Sequence, residues 1–512
     1  MTRDDRPKGG IDVANVVAEP AGEASAGGQN YGSAPYRGYV LLSLTFVYTL
    51  NFIDRNLLGV VAQPIITTFG LSDTQYGFLN GPPFALFYAL MGIPIAMAAD
   101  RFNRVAIMAI CIAVWSLMTA LCGFATSFLF LLIARVGVAI GEAGGTPPSN
   151  SIIGDYFKPR SRANALGIFA MGVTIGGALA NAFGGPIGGM TDETVLSILG
   201  SVGLGGLPEQ MGWGESFGWR FAFIALGVPG ILVALIFFLT VKEPPRGFSD
   251  PPGTQRVEKA SFGETLQELF SKPSFWTMAM GASLVALVGY GLFGFQAPMM
   301  QRVYGVSPGE FAIRFGVPLA LVSAVGTFAG GFLTEKLSAR HPGAVAWLPA
   351  IGLIISIPLY IGAFYMPQDN YLLVLVVWGL GAGAHYAYLS AQYTIGQGVV
   401  SQRSRASAIA ILLFLIALIG NGLGPQIVGI LSDIFMRMQI EASGMSDVLT
   451  NEACRAKDLS AFTPEQQDVC RMAYGEGLRQ SMAATVLFFI PAAIFYVLSS
   501  LTLKKDLVAK MS

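Results

Sequence analysis

The sequence predicts an all-α membrane protein: twelve transmembrane helices forming two six-helix bundles related by pseudo-symmetry. Three observations predict it. Hydrophobic residues make up 53% of the chain and charged residues only 12%, about half the roughly 25% charge of an ordinary soluble domain. Apolar segments on the order of 20 residues, long enough to cross a bilayer, recur along the whole chain. Short charged motifs reappear about half a chain apart. The 63 glycines fit helices that approach one another closely. The formal net charge is zero, so no basic field points to nucleic acid.

The segments fall near 38–66, 73–98, 105–124, 127–157, 163–190, 219–241, 273–303, 309–338, 343–366, 370–399, 404–435 and 479–503. Lipid offers no partner to a free backbone N–H or C=O, so each must be helical. Residues 1–36 are small and polar, without an apolar core of signal-peptide length, and read as a disordered cytoplasmic tail. Residues 37–241 form the first bundle, 242–272 a linker, 273–503 the second bundle, and 504–512 a short cytoplasmic tail. The linker starts Pro-rich and charged. It ends in "FGETLQELF", where Phe262, Leu266, Leu269 and Phe270 recur at helical spacing, which predicts a short helix on the membrane surface.

Basic residues set the orientation. Loops after even-numbered spans carry Arg101 and Arg104; Lys158, Arg160 and Arg162; Lys336 and Arg340; and Arg403 and Arg405. Loops after the first, third and ninth spans carry no Lys or Arg, and the loop at 191–218 carries only the acids Asp192, Glu193, Glu209 and Glu215. Both termini are therefore expected in the cytoplasm, at the inner (cell) membrane of a bacterium. The loop at 436–478 then faces outside, where an oxidising compartment permits a Cys454–Cys470 disulfide. Two free thiols in that loop would fit the sequence equally well.

The halves repeat. "AMAADRFNR" (96–104) matches "GFLTEKLSAR" (331–340), each with an acid-base pair at a cytoplasmic boundary, and "PRSRANA" (159–165) matches "QRSRASA" (402–408). Transporter folds are commonly built from such repeats, with binding near the midplane between them. "AADRFNR" resembles the major facilitator superfamily signature G-x-x-x-D-R-x-x-R, with Ala96 at the usual Gly. Together with "NFIDRNLLGVV" (51–61) and "GEAGGTPPSNSIIGDYF" (141–157) it resembles the spinster subfamily over about 45–180. The C-terminal half is matched only at superfamily level. The resemblance implies the major facilitator fold and alternating access. It also implies an amphipathic lysolipid-like cargo, a lysophospholipid or a sphingosine-phosphate-like molecule, carried by a proton-coupled or facilitative route.

Ionisable residues inside a span cost roughly 2.5–3.5 kcal/mol each on insertion scales and usually mark a transport path. Asp54 and Arg55 lie in the first span, Arg135 and Glu142 in the fourth. Arg135 and Glu142, seven residues apart, share a helix face about 10 Å apart along the axis. In the family both spans line the central cavity, so Asp54 is expected between Arg135 and Glu142, paired with either. Asp54 and Glu142 are the expected proton-coupling carboxylates, and Arg55 and Arg135 the expected phosphate ligands. A fixed network that only holds the bundle together is the competing reading.

Further substrate-binding candidates are Tyr48, Asn51 and Phe52, which share a stripe with Arg55, and Thr146, with Ser149 beside it on the Arg135–Glu142 face. "HYAYLSAQY" (385–393) adds His385, Tyr388 and Gln392 on one face; Tyr290, Gln296 and Asn421 are weaker. For each, an interhelical hydrogen bond is an equal reading. Asp100, Arg101, Arg104, Asp155, Arg160, Arg162, Glu335, Lys336 and Arg340, with Arg403 and Arg405, are the expected cytoplasmic gate by resemblance; topology alone would also require the basic ones. Pro147 and Pro148 predict a break in the fourth span directly after Glu142.

No G-x-x-x-x-G-K-[ST] or H-E-x-x-H motif occurs, only two His are present, and no Cys/His spacing suits zinc. No cofactor or metal is expected beyond protons as the coupling ion. The expected protein is a monomeric carrier, not an enzyme, whose partners are the bilayer and its cargo. A multidrug or sugar carrier of the same superfamily is the alternative, ahead of an intramembrane enzyme or a channel.

Overall fold

The computed structural model describes residues 30–250, 260–338, 341, 343–367 and 370–508. The expectations for most of the N-terminal tail, for the linker at 251–259, for Arg340 and for residues 509–512 lie outside the described residues. Helices and their connections make up the rest, with no strand among the described residues. Among the described residues, eleven helices are long and apolar enough to cross a membrane. A twelfth, α1 (Ala34–Val60), has 27 residues and carries Asp54 and Arg55 within it.

In the first half, α1 continues beyond a break at Val61 as α2 (Ala62–Phe69). The second span is α3 (Asp73–Asn80) with α4 (Pro82–Arg101), and the third is α5 (Arg104–Gly123). The fourth is α6 (Phe128–Glu142) with α7 (Thr146–Tyr156), and the fifth α8 (Pro159–Leu179) with α9 (Gly185–Gly188). Two short helices, α10 (Asp192–Ser201) and α11 (Leu207–Gln210), precede the sixth span, α12 (Phe217–Thr240). The second half opens with α13 (Phe262–Phe270), then α14 (Pro273–Tyr304), α15 (Pro308–Phe311) with α16 (Val317–Ser338), and α17 (Ala344–Phe364). The tenth span is α18 (Tyr371–His385) with α19 (Tyr388–Gly398), and the eleventh α20 (Arg405–Leu415) with α21 (Gly422–Ala442). After α22 (Asn451–Cys454), α23 (Pro464–Val486) and α24 (Phe489–Asp506) make the twelfth.

The irregularities repeat as the motifs do. The fourth span breaks at 143–145 and the tenth at 386–387, while the fifth and eleventh carry π-helical turns at Ala180–Gly184 and Ile416–Asn421. The break in the fourth span follows Glu142, and Pro147 falls in the first turn of α7. A proline there sacrifices no helical hydrogen bond, because first-turn N–H groups have no intrahelical acceptor.

The connection at 436–478 is more helical than the sequence predicts. α21 runs on to Ala442, and α23 starts at Pro464 behind a Thr463–Gln466 capping box. Between them Cys454 is bonded to Cys470. Polar helix that projects beyond the hydrocarbon carries no hydropathy signal, which is why the sequence reading ended the spans early.

The surface helix α13 is present, capped reciprocally by Ser261 and Glu264, with Phe262 and Phe270 exposed. Its Glu268 accepts from the Ser401 amide at 2.6 Å and from the Ser404 hydroxyl at 2.6 Å, tying the linker to the entrance of α20. Burial pushes this carboxyl up, but those donors, with the Ser401 hydroxyl and Lys272, outweigh it and hold it below the usual range. A depressed folded-state value means the tether is at full strength above the ordinary carboxyl value of about 4.3 and is lost as pH falls through the folded value. Protection from hydrogen exchange across 262–270, after correction for the intrinsic pH dependence of amide exchange, should therefore fall on acidification below about pH 4, and Glu268→Gln should show the low protection already at neutral pH.

The two halves lock together at the end away from the termini and linker, here called the far end. Backbones come very close there: a Cβ on Gly81 would lie 2.5 Å from the Gly422 carbonyl oxygen. Any larger residue at Gly81 would force α4 and α21 apart.

Candidate functional site

One helical step is about 100°, so neighbouring residues on α1 point in different directions. Arg55 turns to the meeting line of the two halves, and Asp54 turns into the first bundle. Arg55 Nε and Nη2 lie 2.9 and 2.8 Å from one oxygen, Oε2, of Glu142 at the end of α6. Its guanidinium lies 5.0 Å from the Phe52 ring, 5.3 Å from Phe84 and 4.8 Å from Tyr88. Arg135 lies over the other approach to Phe84, at 5.0 Å. Arginine stacked on aromatic rings is held in orientation as well as attracted.

The expected pairing of Asp54 with Arg135 is not an ion pair among the described residues, and Glu142, itself a carboxylate, offers Asp54 no cation. Arg55 takes Glu142 instead, and Asp54, 3% exposed, faces Glu142 and Arg135 from α6 and Thr119 from α5 without an ion pair among the described residues. The sequence reading assigns the place beside Arg135 and Glu142 to Asp54 and a phosphate-binding role to Arg55; in the fold it is Arg55 that carries the ion pair with Glu142. Asn51 is buried next to Glu142. Phe52 sits under Arg55, and Tyr48 stacks on Phe169 at 4.3 Å with Thr146 beside its hydroxyl.

The second half contributes tyrosines. Tyr290 of α14 faces Arg55, and Tyr386, Tyr388 and Tyr393 surround Tyr290. His385 is buried behind them, its Nδ1 3.1 Å from the Tyr360 hydroxyl and its ring stacked on Tyr386 at 4.5 Å. That is a packed, hydrogen-bonded arrangement. Tyr388 and Gln392 are also buried, and Gln392 Oε1 makes no hydrogen bond to protein. The arrangement at Arg55 can do two things: hold an anion on a guanidinium, and exchange that anion for a carboxylate.

At the linker end the expected gate residues are occupied differently. Arg104 binds Asp155 at 2.5 Å, Glu243 at 2.6 Å, Ser151 at 2.7 Å and the Pro244 carbonyl at 2.8 Å. Arg162 binds Asp250 at 2.9 Å, and Asp155 accepts from the Gly247 amide at 2.7 Å. These groups clamp the start of the linker to the first bundle rather than bridging to the second. Asp100, Arg101, Arg160, Glu335, Lys336, Arg403 and Arg405 are exposed around the same end.

The charges that join the halves lie at the far end, and sequence reasoning missed them. Arg302 of α14 grips Asp73 of α3 with two 2.7 Å bonds, donates to Gln63 at 2.8 Å, and lies 3.7 Å from the Tyr474 ring. Ser432 donates to Asp73 at 2.6 Å. Asp433 accepts from the Thr74 amide at 2.9 Å and from Arg455 at 3.0 Å, beside the disulfide, and Lys457 pairs with Glu215 across the halves. Asp73 and Arg302 each sit at the edge of a span, where a charge reads as solvent-facing; their partnership across 229 residues leaves no mark in local sequence.

With this geometry in view, the comparisons are specific. The Major Facilitator Superfamily family model matches residues 44–425. A solved bacterial homolog of the human lysosomal transporter spinster, inward-facing and unoccupied, is 54% identical with a TM-score of 0.87, over 94% of this chain and all of that one. An MFS-type efflux pump of Mycolicibacterium smegmatis is 33% identical over 390 residues, 76% of this chain and 83% of that protein. Protein spinster of Drosophila melanogaster is 24% identical over 498 residues, 91% of this chain and 77% of that one. The chain is a multi-pass membrane transporter that belongs to the major facilitator superfamily, of the spinster type.

Proposed function

We propose that this transporter carries an amphipathic, lysolipid-like anion, a lysophospholipid or sphingosine-phosphate-like molecule, by proton-coupled alternating access. It works as a monomer in a bacterial inner membrane, with both termini cytoplasmic and the far end outside. The basic loops at the linker end and the disulfide at the far end support that orientation. The observation that carries the reading is the Arg55–Glu142 pair, which is buried among aromatic rings and met by Tyr290 from the other half.

A head-group phosphate approaching Arg55 competes with Glu142 for the same guanidinium. Arginine binds phosphate by paired, charge-assisted hydrogen bonds. Once displaced, Glu142 is a buried carboxylate without its cation and takes up a proton. Binding of cargo and of proton are thereby linked, and the rings of Phe52, Phe84 and Tyr88 receive the apolar part of the cargo. Asp54 is the second proton site, with Arg135 as its nearest cation.

Reconstituted protein should bind lysolipids in preference to sugars and dyes, with affinity that differs between two pH values. In the same liposomes, Glu142→Gln should fold normally and transport without pH dependence. Uptake in that variant that still follows the proton gradient would remove Glu142 from the coupling role. The runner-up reading, a multidrug carrier, is favoured by the likeness to the M. smegmatis efflux pump and by the tyrosine-rich wall of the second half. Dyes binding more tightly than lysolipids would select it.

A further inference from the structure

Five buried polar atoms around Asp54 make no hydrogen bond of good geometry to the described residues, although Thr119 faces the Asp54 carboxyl and Asn51 faces Glu142: Asn51 Nδ2, Thr119 Oγ1, Arg135 Nε and Nη1, and Glu142 Oε1. Asn51, Thr119, Arg135 and Glu142 are each no more than 3% exposed. Buried polar groups are nearly always satisfied, so a cluster of exceptions calls for a reason of its own. Thr119 lies on α5, one turn before the buried Cys122 and opposite Asp54 on α1.

From this placement we infer that Thr119 is a positioning residue for the Asp54 proton site, orienting the carboxyl in both of its protonation states. The inference rests on the proton-coupling role proposed above for Asp54. A hydroxyl suits the task because it both donates and accepts. When Asp54 is protonated, its O–H donates to Thr119 Oγ1. When the O–H bond breaks and the proton leaves, the Thr119 hydroxyl rotates and donates to the carboxylate. The proton passes to Glu142 Oε1, directly or through water. One carboxyl loses the proton that the other gains, so the charge of the cluster is unchanged. The other groups facing the site are Cys122 from α5, Arg135 and Glu142 from α6, and Arg55 on α1 itself; Tyr88 of α4 and Tyr290 of α14 face Arg55.

Hydrogen bonds to a charged acceptor exceed those to a neutral one by about 1 kcal/mol, equivalent to a shift of about one pH unit. Infrared difference spectra of the reconstituted protein, titrated with pH, read the carboxyl C=O band directly. The band that disappears in Asp54→Asn is assigned to Asp54. In Thr119→Val and Thr119→Ala its midpoint should move about one unit toward higher pH, and in Thr119→Ser it should stay at the wild-type position. A wild-type midpoint in both hydroxyl-free variants overturns the inference, and so does a shift of equal size in Thr119→Ser. Transport in the same liposomes reports separately on the proposed function: pH-indifferent flux in the wild type would sink proton coupling, whatever the band does.

Discussion

Exchanging Arg302 for Met opens the far end. The Arg302–Asp73 pair is almost wholly buried, with side chains 4% and 1% exposed, and Asp73 has a hydrogen bond from Ser432 as well. Removing one partner of such a pair leaves an uncompensated buried carboxylate, at a cost of about 3–5 kcal/mol. The cost falls on the closed far end, where Asp73 is sealed against α21, and not on a conformation that lets water reach Asp73. The equilibrium between the two should shift by two to nearly four orders of magnitude, roughly 10²–10⁴-fold, toward the open far end, at about 1.4 kcal/mol per factor of ten. Spin labels at Ser201 and Asp447, one on each half, should report a longer and broader distance in Arg302→Met than in the parent. Adding Asp73→Asn should recover most of the closed population, because the stranded charge is then gone. An unchanged distance distribution in Arg302→Met would mean that backbone packing at Gly77, Gly81 and Gly429 holds the far end without the ion pair.

Arg55→Leu is expected to be the most damaging change at the candidate site. It strands Glu142, which is fully buried and has its Oε2 bonded to Arg55. The loss should be about 3–5 kcal/mol of stability together with substrate binding. Arg55→Gln with Glu142→Gln removes both charges, so this double variant should regain most of the stability and none of the transport. That non-additivity, measured as a double-mutant cycle in thermal unfolding and in uptake, separates the structural share of the pair from its functional share. A double variant that transports at the parent rate would make the pair a bundle-holding element only. Arg55→Lys should fall between, since an ammonium can keep the charge but not the stacked planar fork over Phe52 and Tyr88.

The α1 charges show how far local reasoning reaches. A stretch reading Asn51-Phe52-Ile53-Asp54-Arg55 inside an apolar run marks a candidate intramembrane site, because charge inside a span is costly and usually lies on a transport path. Which carboxylate meets which cation does not follow, since a turn of about 100° between residues is trivial to state but its absolute phase depends on how α1 packs on α5 and α6. His385 makes the same point from the other side. The sequence placed it in a polar face with Tyr388 and Gln392; the fold keeps its ring stacked near Tyr388 but adds the Tyr360 hydroxyl and Phe489, partners that no local pattern names.

Composition, the length of the apolar segments and the repeated charged motifs determined the class of this protein, its twelve spans and its duplicated halves, because the bilayer acts on each segment separately and leaves its demand in that segment's own residues. The break behind Glu142 was equally local, written in Gly144, Gly145 and the prolines that follow. The tertiary structure alone decided that Arg55 and not Asp54 holds Glu142, that Arg104 serves the linker, and that Asp73, Arg302 and Tyr474 fasten the far end. Those pairings join residues separated by dozens to hundreds of positions, and a side chain's own neighbours in sequence carry no information about a partner that only packing brings within 3 Å.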